Sequence, residues 1–92
     1  MLNESDYMSD KEKEVNEIKV LIRDLLDDVG IPKNIKKALI DAKERLESNE
    51  ELNVKVSAAI YALDTVSEDI NMPSHARMQI WTIMSSLESV KE

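Results

Sequence analysis

The chain has 92 residues, with one glycine, two prolines and no cysteine. That length predicts one small domain, and the composition excludes disulfides, iron–sulfur clusters and cysteine-ligated zinc. Nineteen acidic residues against twelve basic ones give a net charge of −7, which argues against nucleic acid as a partner, and the lone His75 excludes multi-histidine metal sites.

Residues 1–8 show no helical periodicity and are expected to form a flexible N-terminus ahead of a single helical-bundle domain over residues 9–92. The opening residues lack the basic start and apolar stretch of a secretion signal. No apolar run reaches the roughly 18 residues of a membrane span. A cytoplasmic protein that does not enter membranes is the expectation.

Four helical segments follow. Ser9-Asp10-Lys11-Glu12 has the form of a capping box. The steps of three and four through Val15, Ile18, Leu21, Ile22, Leu25, Leu26 and Val29 mark the apolar face of a first helix, with Gly30 expected as the left-handed residue that ends it. Pro32 suits the opening of a second helix, whose stripe is Ile35, Ala38, Leu39, Ala42 and Leu46. After the polar turn Ser48–Glu51, a third helix begins near Leu52 or Asn53. It carries Val56, Ala59, Ile60, Leu63 and Val66, widened by Ala58 and Ala62, and Asn71 is the expected terminator. Pro73 opens a fourth, with Ala76, Ile80, Ile83, Leu87 and Val90 facing inward.

The sequence repeats itself at an offset of 41 residues. Asp28-Val29-Gly30-Ile31-Pro32 falls on Asp69-Ile70-Asn71-Met72-Pro73, and Lys36 falls on Arg77. Neither helical hairpin can cover its own apolar face, so each must pack on the other. The predicted fold class is all-α, a four-helix bundle built from two similar antiparallel helical hairpins. The runner-up is a two-repeat solenoid, because Pro32-x-x-Ile35-Lys36-x-Ala38 and Val54-Lys55-x-x-Ala58-Ala59 resemble HEAT-type helical repeats.

Three stretches resemble a small uncharacterised archaeal protein family: Ile31-Pro32-Lys33-Asn34-Ile35-Lys36, Ala58–Asp64, and Ser67–Arg77, the last containing Asn71-Met72-Pro73-Ser74-His75-Ala76-Arg77. The resemblance implies an all-helical fold and an archaeal cytoplasm. It implies no activity and no site residues.

Among polar candidates, Asp28 and Asp69 stand at helix C-terminal ends, where negative charge is unfavourable. Each is expected to cross its turn and either cap the next helix or pair with Lys36 and Arg77, respectively. With Pro32, Pro73 and His75 these form the expected structural set at the turns. His75 is expected to bond nearby backbone or Asp69. Asp24, Asp27 and Asp28, and likewise Glu68 and Asp69, form an acidic edge whose spacing matches no calcium loop. The cations Lys33, Lys36, Lys37, Lys43 and Arg45 share their helix with Asp41, Glu44 and Glu47, so internal pairing is expected. No cofactor, catalytic or metal-ligating residue is assigned.

The fourth helix carries the strongest functional signal. From Met72 to Val90 only Arg77 and Glu88 are charged, against 34% of the whole chain. Met78, Trp81 and Met84 flank the core stripe, beside Thr82, Ser85, Ser86 and Ser89, and Tyr61 is a further candidate for the same face. Two readings stay open: a helix central in the monomer, or a surface for a protein partner or a homodimer. The function expected is a non-enzymatic helical interaction module. The alternative is a small carboxylate-based metal- or phosphate-dependent enzyme.

Overall fold

The computed structural model describes residues 10–91. They form α1 (Asp10–Leu26), α2 (Lys33–Leu46), α3 (Leu52–Asp64) and α4 (Ser74–Val90), with no strand among the described residues. The predicted capping residue Ser9 and residues 1–8 lie outside them.

Each helix packs on its two neighbours in the order α1, α2, α3, α4 and back to α1. The closing contact between α4 and α1 makes this a bundle, since the two ends of a solenoid would stay apart. The core follows the repeat. Val15 and Val56, Ile18 and Ala59, Ile22 and Leu63, Leu25 and Val66 are buried at matching positions of α1 and the α3 region. Ile31 and Met72, Ile35 and Ala76, Leu39 and Ile80, Ala42 and Ile83, Leu46 and Leu87 do the same in the turns and in α2 and α4.

The turns repeat as well. Asp28 N–H donates to Leu25 C=O and Asp69 N–H to Val66 C=O, both at 3.1 Å. Lys36 N–H donates to Pro32 C=O and Arg77 N–H to Pro73 C=O, both at 3.0 Å. The prolines sit one residue ahead of α2 and α4 in the same extended conformation, with φ −61° and ψ 155° at Pro32 and φ −57° and ψ 147° at Pro73. Proline fits this place because the N–H it lacks would have no helical partner.

Two helix ends differ from the sequence expectation. α1 stops at Leu26, and Gly30 does not have a positive φ. Its N–H instead donates to Asp28 Oδ1 at 2.8 Å, so an aspartate side chain shapes the turn. Val29, expected on the apolar stripe, is 96% exposed, as is its counterpart Ile70 at 90%. α3 stops at Asp64, well before Asn71. There the Thr65 hydroxyl donates to Ala62 C=O at 2.7 Å and the Ser67 hydroxyl to Asp64 C=O at 3.2 Å. These side chains compete for carbonyls that would otherwise continue the helix.

The halves are not identical in packing. Facing positions of α2 and α3 carry Ala38, Ala42, Ala58, Ala59 and Ala62, where α4 and α1 carry Gln79, Ile83, Glu17, Ile18 and Leu21. Small side chains let two backbones approach closely, and α2 and α3 form the most extensive helix pair. Ala42 is fully buried there. Replacing it with the residue of its counterpart, Ala42→Ile, is expected to cost about 1–3 kcal/mol by overpacking. A lowered urea midpoint with an unchanged slope is the expected reading. An unchanged midpoint would show that the alanines do not set this contact.

Candidate functional site

Two polar contacts tie the hairpins together at the end of the bundle that holds both proline turns. His75 Nε2 and Asp28 Oδ2 lie 2.6 Å apart, joining the first turn of α4 to the turn after α1. A carboxylate only accepts, so Nε2 carries the proton and donates. Asn34 Nδ2 donates to Asp69 Oδ2 at 2.6 Å, joining the first turn of α2 to the turn after α3. Asn34 and His75 are 41 positions apart, as are Asp28 and Asp69, so one contact is the other's image. The second oxygen of each carboxylate accepts a local amide: Gly30 N–H on Asp28 Oδ1 and Asn71 N–H on Asp69 Oδ1, both at 2.8 Å.

This geometry corrects the expected pairings. The aspartates do not cap the following helices, whose N-termini have no side-chain cap. His75 bonds Asp28 rather than Asp69. Arg77 donates to backbone carbonyls, through Nη2 to Asp69 at 2.8 Å and through Nη1 to Ser67 at 3.4 Å. Lys36 acts on Asp28 only through its charge. In each case the carboxylate reaches the opposite hairpin because packing brings that hairpin's first turn alongside.

The pairing also bears on chemistry. The imidazole of His75 occupies the place that the amide of Asn34 fills in the other half. An amide donates a hydrogen bond but does not exchange a proton near neutrality, so the task common to both positions is to donate. Among the described residues, no group of three or more His, Asp or Glu side chains gathers in a way that could hold a metal ion. Asp24, Asp27 and Glu68 are exposed. The expected internal pairing of α2 is present at Arg45–Asp41, 3.2 Å, and Lys43–Glu47, 3.6 Å.

The candidate surface on α4 divides. Ala76, Ile80, Ile83, Leu87 and Val90 face the core, and Met84 packs against its edge. Met78 is 71% exposed and Trp81 52%, and Ser85 is exposed beside them. These three lie on the side of α4 opposite the core. The reading of α4 as a central helix therefore fails, since a closed ring of four helices has no central member. Tyr61 does not join this face. It lines an open groove between α2 and α3 with Ala58, Thr65 and Ile40. Its sequence position was ambiguous because it is displaced from the α3 core stripe toward α2, whereas α4 packs on the other flank.

The architecture defines an all-helical protein of two interlocked hairpins, and no helix among the described residues is long and apolar enough to cross a membrane. The chain belongs to UPF0147, an uncharacterised protein family, whose pattern matches residues 2–90. It is 43% identical over 75 residues to the UPF0147 protein MJ1419 of the archaeon Methanocaldococcus jannaschii, covering 80% of this chain and 81% of that one. A UPF0147 protein of Saccharolobus islandicus is 36% identical over 84 residues, covering 90% and 94%. Two solved structures share the fold. One is the unknown-function protein MMP1188, with a TM-score of 0.82, 36% identity, and 100% of this chain and 98% of that one covered. The other is a UPF0147 protein from Thermoplasma acidophilum, with a TM-score of 0.83, 33% identity, and 88% and 96% covered.

The two aspartates give a pH prediction. The Gly30 amide first, and then the His75 hydrogen bond, hold the Asp28 carboxyl below its ordinary value. The Asn71 amide and then Asn34 do the same for Asp69. A carboxyl whose folded pKa is depressed contributes stability that is fully present above its unfolded pKa, about 3.9, and lost as pH falls through the folded value. Melting temperature is expected to fall as pH drops below about 4, and less steeply in the Asp28→Asn, Asp69→Asn double variant. Identical acid profiles would remove both carboxylates from the linkage.

Proposed function

We propose that this protein is a non-enzymatic helical interaction module that associates with a second copy through the outward face of α4. The observation that carries this is a difference between two faces the fold makes equivalent. On α2 the outward positions are Lys33, Lys37, Ile40, Asp41 and Glu44. At the matching positions α4 has Ser74, Met78, Trp81, Thr82 and Ser85. The same place in the fold is dressed for water in one hairpin and stripped of charge in the other.

Scattered exposed apolar residues are ordinary on proteins, and Val20, Leu21 and Val54 are such cases here. The α4 face differs in pairing two large apolar side chains one helical turn apart with no lysine or carboxylate between them. Tryptophan and methionine are enriched at contact surfaces, where lysine and glutamate are depleted. The interchangeable donors Asn34 and His75 support a structural rather than catalytic use of the most ordered polar contacts.

Light scattering tests the reading. Apparent mass is expected to rise with concentration from the 10.5 kDa of one chain toward twice that value. Trp81 is the single tryptophan, so its emission should shift to shorter wavelength over the same range. The variant Met78→Glu, Ser85→Glu, which lays like charges along this face, should stay monomeric with an unchanged circular dichroism spectrum. A monomer mass at every concentration would overturn the reading.

A further inference from the structure

Resting on that reading, we infer that the two copies pack α4 against α4 in antiparallel orientation, about a two-fold axis near Trp81, with Glu88 of each copy over the first turn of the other's α4. Three features of α4 point to this arrangement. The first concerns what burial would cost. Thr82 Oγ1 donates to Met78 C=O at 3.0 Å, and Ser89 Oγ to Ser86 C=O at 2.8 Å. Both hydroxyls already have partners inside the helix, so covering Thr82 and Ser89 leaves neither donor unpaired. Small hydroxylic side chains also let two helices approach closely.

The second is shape. The outward stripe runs Ser74, Met78, Trp81, Ser85, Glu88, with the two large side chains toward its N-terminal half and a small one after them. Parallel alignment sets Met78 on Met78 and Trp81 on Trp81, and leaves Ser85 facing Ser85 across a gap. Antiparallel alignment about the middle of the helix also brings the two Trp81 side chains together at the axis, but it sets Met78 against Ser85 on either side of it, large against small. Such interdigitation is what well-packed interfaces require.

The third is charge. A chain of net charge −7 repels its copy, and contact is least costly where carboxylates are fewest. The stripe holds one charge, Glu88, in the last turn of α4. Its other end is the helix N-terminus, which has no side-chain cap and no acidic residue in its first turn. Parallel packing places Glu88 beside Glu88. Antiparallel packing places it where backbone amides and the helix dipole favour an anion. A contact of one helix from each copy is small beside standard interfaces of about 1,600 Å2, so a transient dimer is expected.

The absence of cysteine makes the orientation testable by single-cysteine variants at exposed positions. In the antiparallel dimer Met78 of the two copies lies seven residues apart along the axis, about 10 Å, beyond the roughly 7 Å Cα separation a disulfide spans. Oxidising a mixture of Met78→Cys and Ser85→Cys should give the mixed disulfide, while neither variant alone dimerises covalently. Covalent dimers from each variant alone would overturn the orientation and leave self-association standing. No disulfide in any sample, at a concentration where light scattering reports dimer, would remove α4 from the interface. Glu88→Gln gives a second readout. It should raise the dimer dissociation constant several-fold, whereas a lowered or unchanged constant contradicts the placement of Glu88. A wild-type chain that stays monomeric throughout would end both readings.

Discussion

The structure depends on mutual covering of two apolar stripes. A single helical hairpin of this size buries too little surface to offset the entropy of ordering it. The chain resolves this by presenting nearly the same buried set twice, from Val15 to Leu46 and from Val56 to Leu87, and closing one set over the other. Burying these aliphatic side chains is the main driving force. The alanines of α2 and α3 add a local bias, since small side chains permit close approach, and that pair makes a more extensive contact than α4 and α1. The bundle is therefore two-fold in plan and lopsided in detail.

The polar contacts at the turns do a different job. Asp28–His75 and Asp69–Asn34 are solvent-exposed, so each exchanges protein–water bonds for a protein–protein bond with modest net gain. Their value lies in direction. Each links a turn of one hairpin to the first turn of the other hairpin's second helix, and the pair together fixes how far one hairpin slides along the other. Apolar stripes alone tolerate sliding, because hydrophobic contact is not directional. The aspartates are placed to act this way because their second oxygens are already anchored on Gly30 and Asn71, which leaves the first free to point across.

The inward faces were legible in the sequence because helical period and burial are the same signal. Every residue expected on the stripes of α2 and α4 is buried. Helix ends were less so. The seven-residue spacing from Ile22 to Val29 continues the period, yet the backbone leaves the helix at Leu26 and Val29 swings into water. Nothing in the apolar pattern marks that departure, which an aspartate side chain bonding two residues ahead brings about. Thr65 and Ser67 act similarly on α3. The partners of Asp28 and Asp69 were hidden for another reason. An aspartate beside a turn has several local partners within reach, and local rules favour those. The contact across 47 residues to His75 exists only once packing has set the two turns side by side.

The outward face of α4 shows how an internal repeat separates what folding needs from what it does not. Its poverty of charge fitted either a central helix or an exposed contact surface, and the closed ring of four helices removes the first. The two hairpins then serve as each other's control. At matched inward positions both carry aliphatic side chains, since both must build the same core. At matched outward positions nothing in the fold asks for agreement, and lysine, aspartate and glutamate suffice to keep α2 soluble. Trp81 and Met78 are therefore not a by-product of helix formation, because the twin helix forms without them. Leaving such side chains in water gains the monomer nothing, and in the proposed association a second α4 would cover them. The same reasoning sets the α2–α3 groove apart: Tyr61 lies there beside Lys37, Asp41, Glu44 and Arg45, a charged surround that water already satisfies.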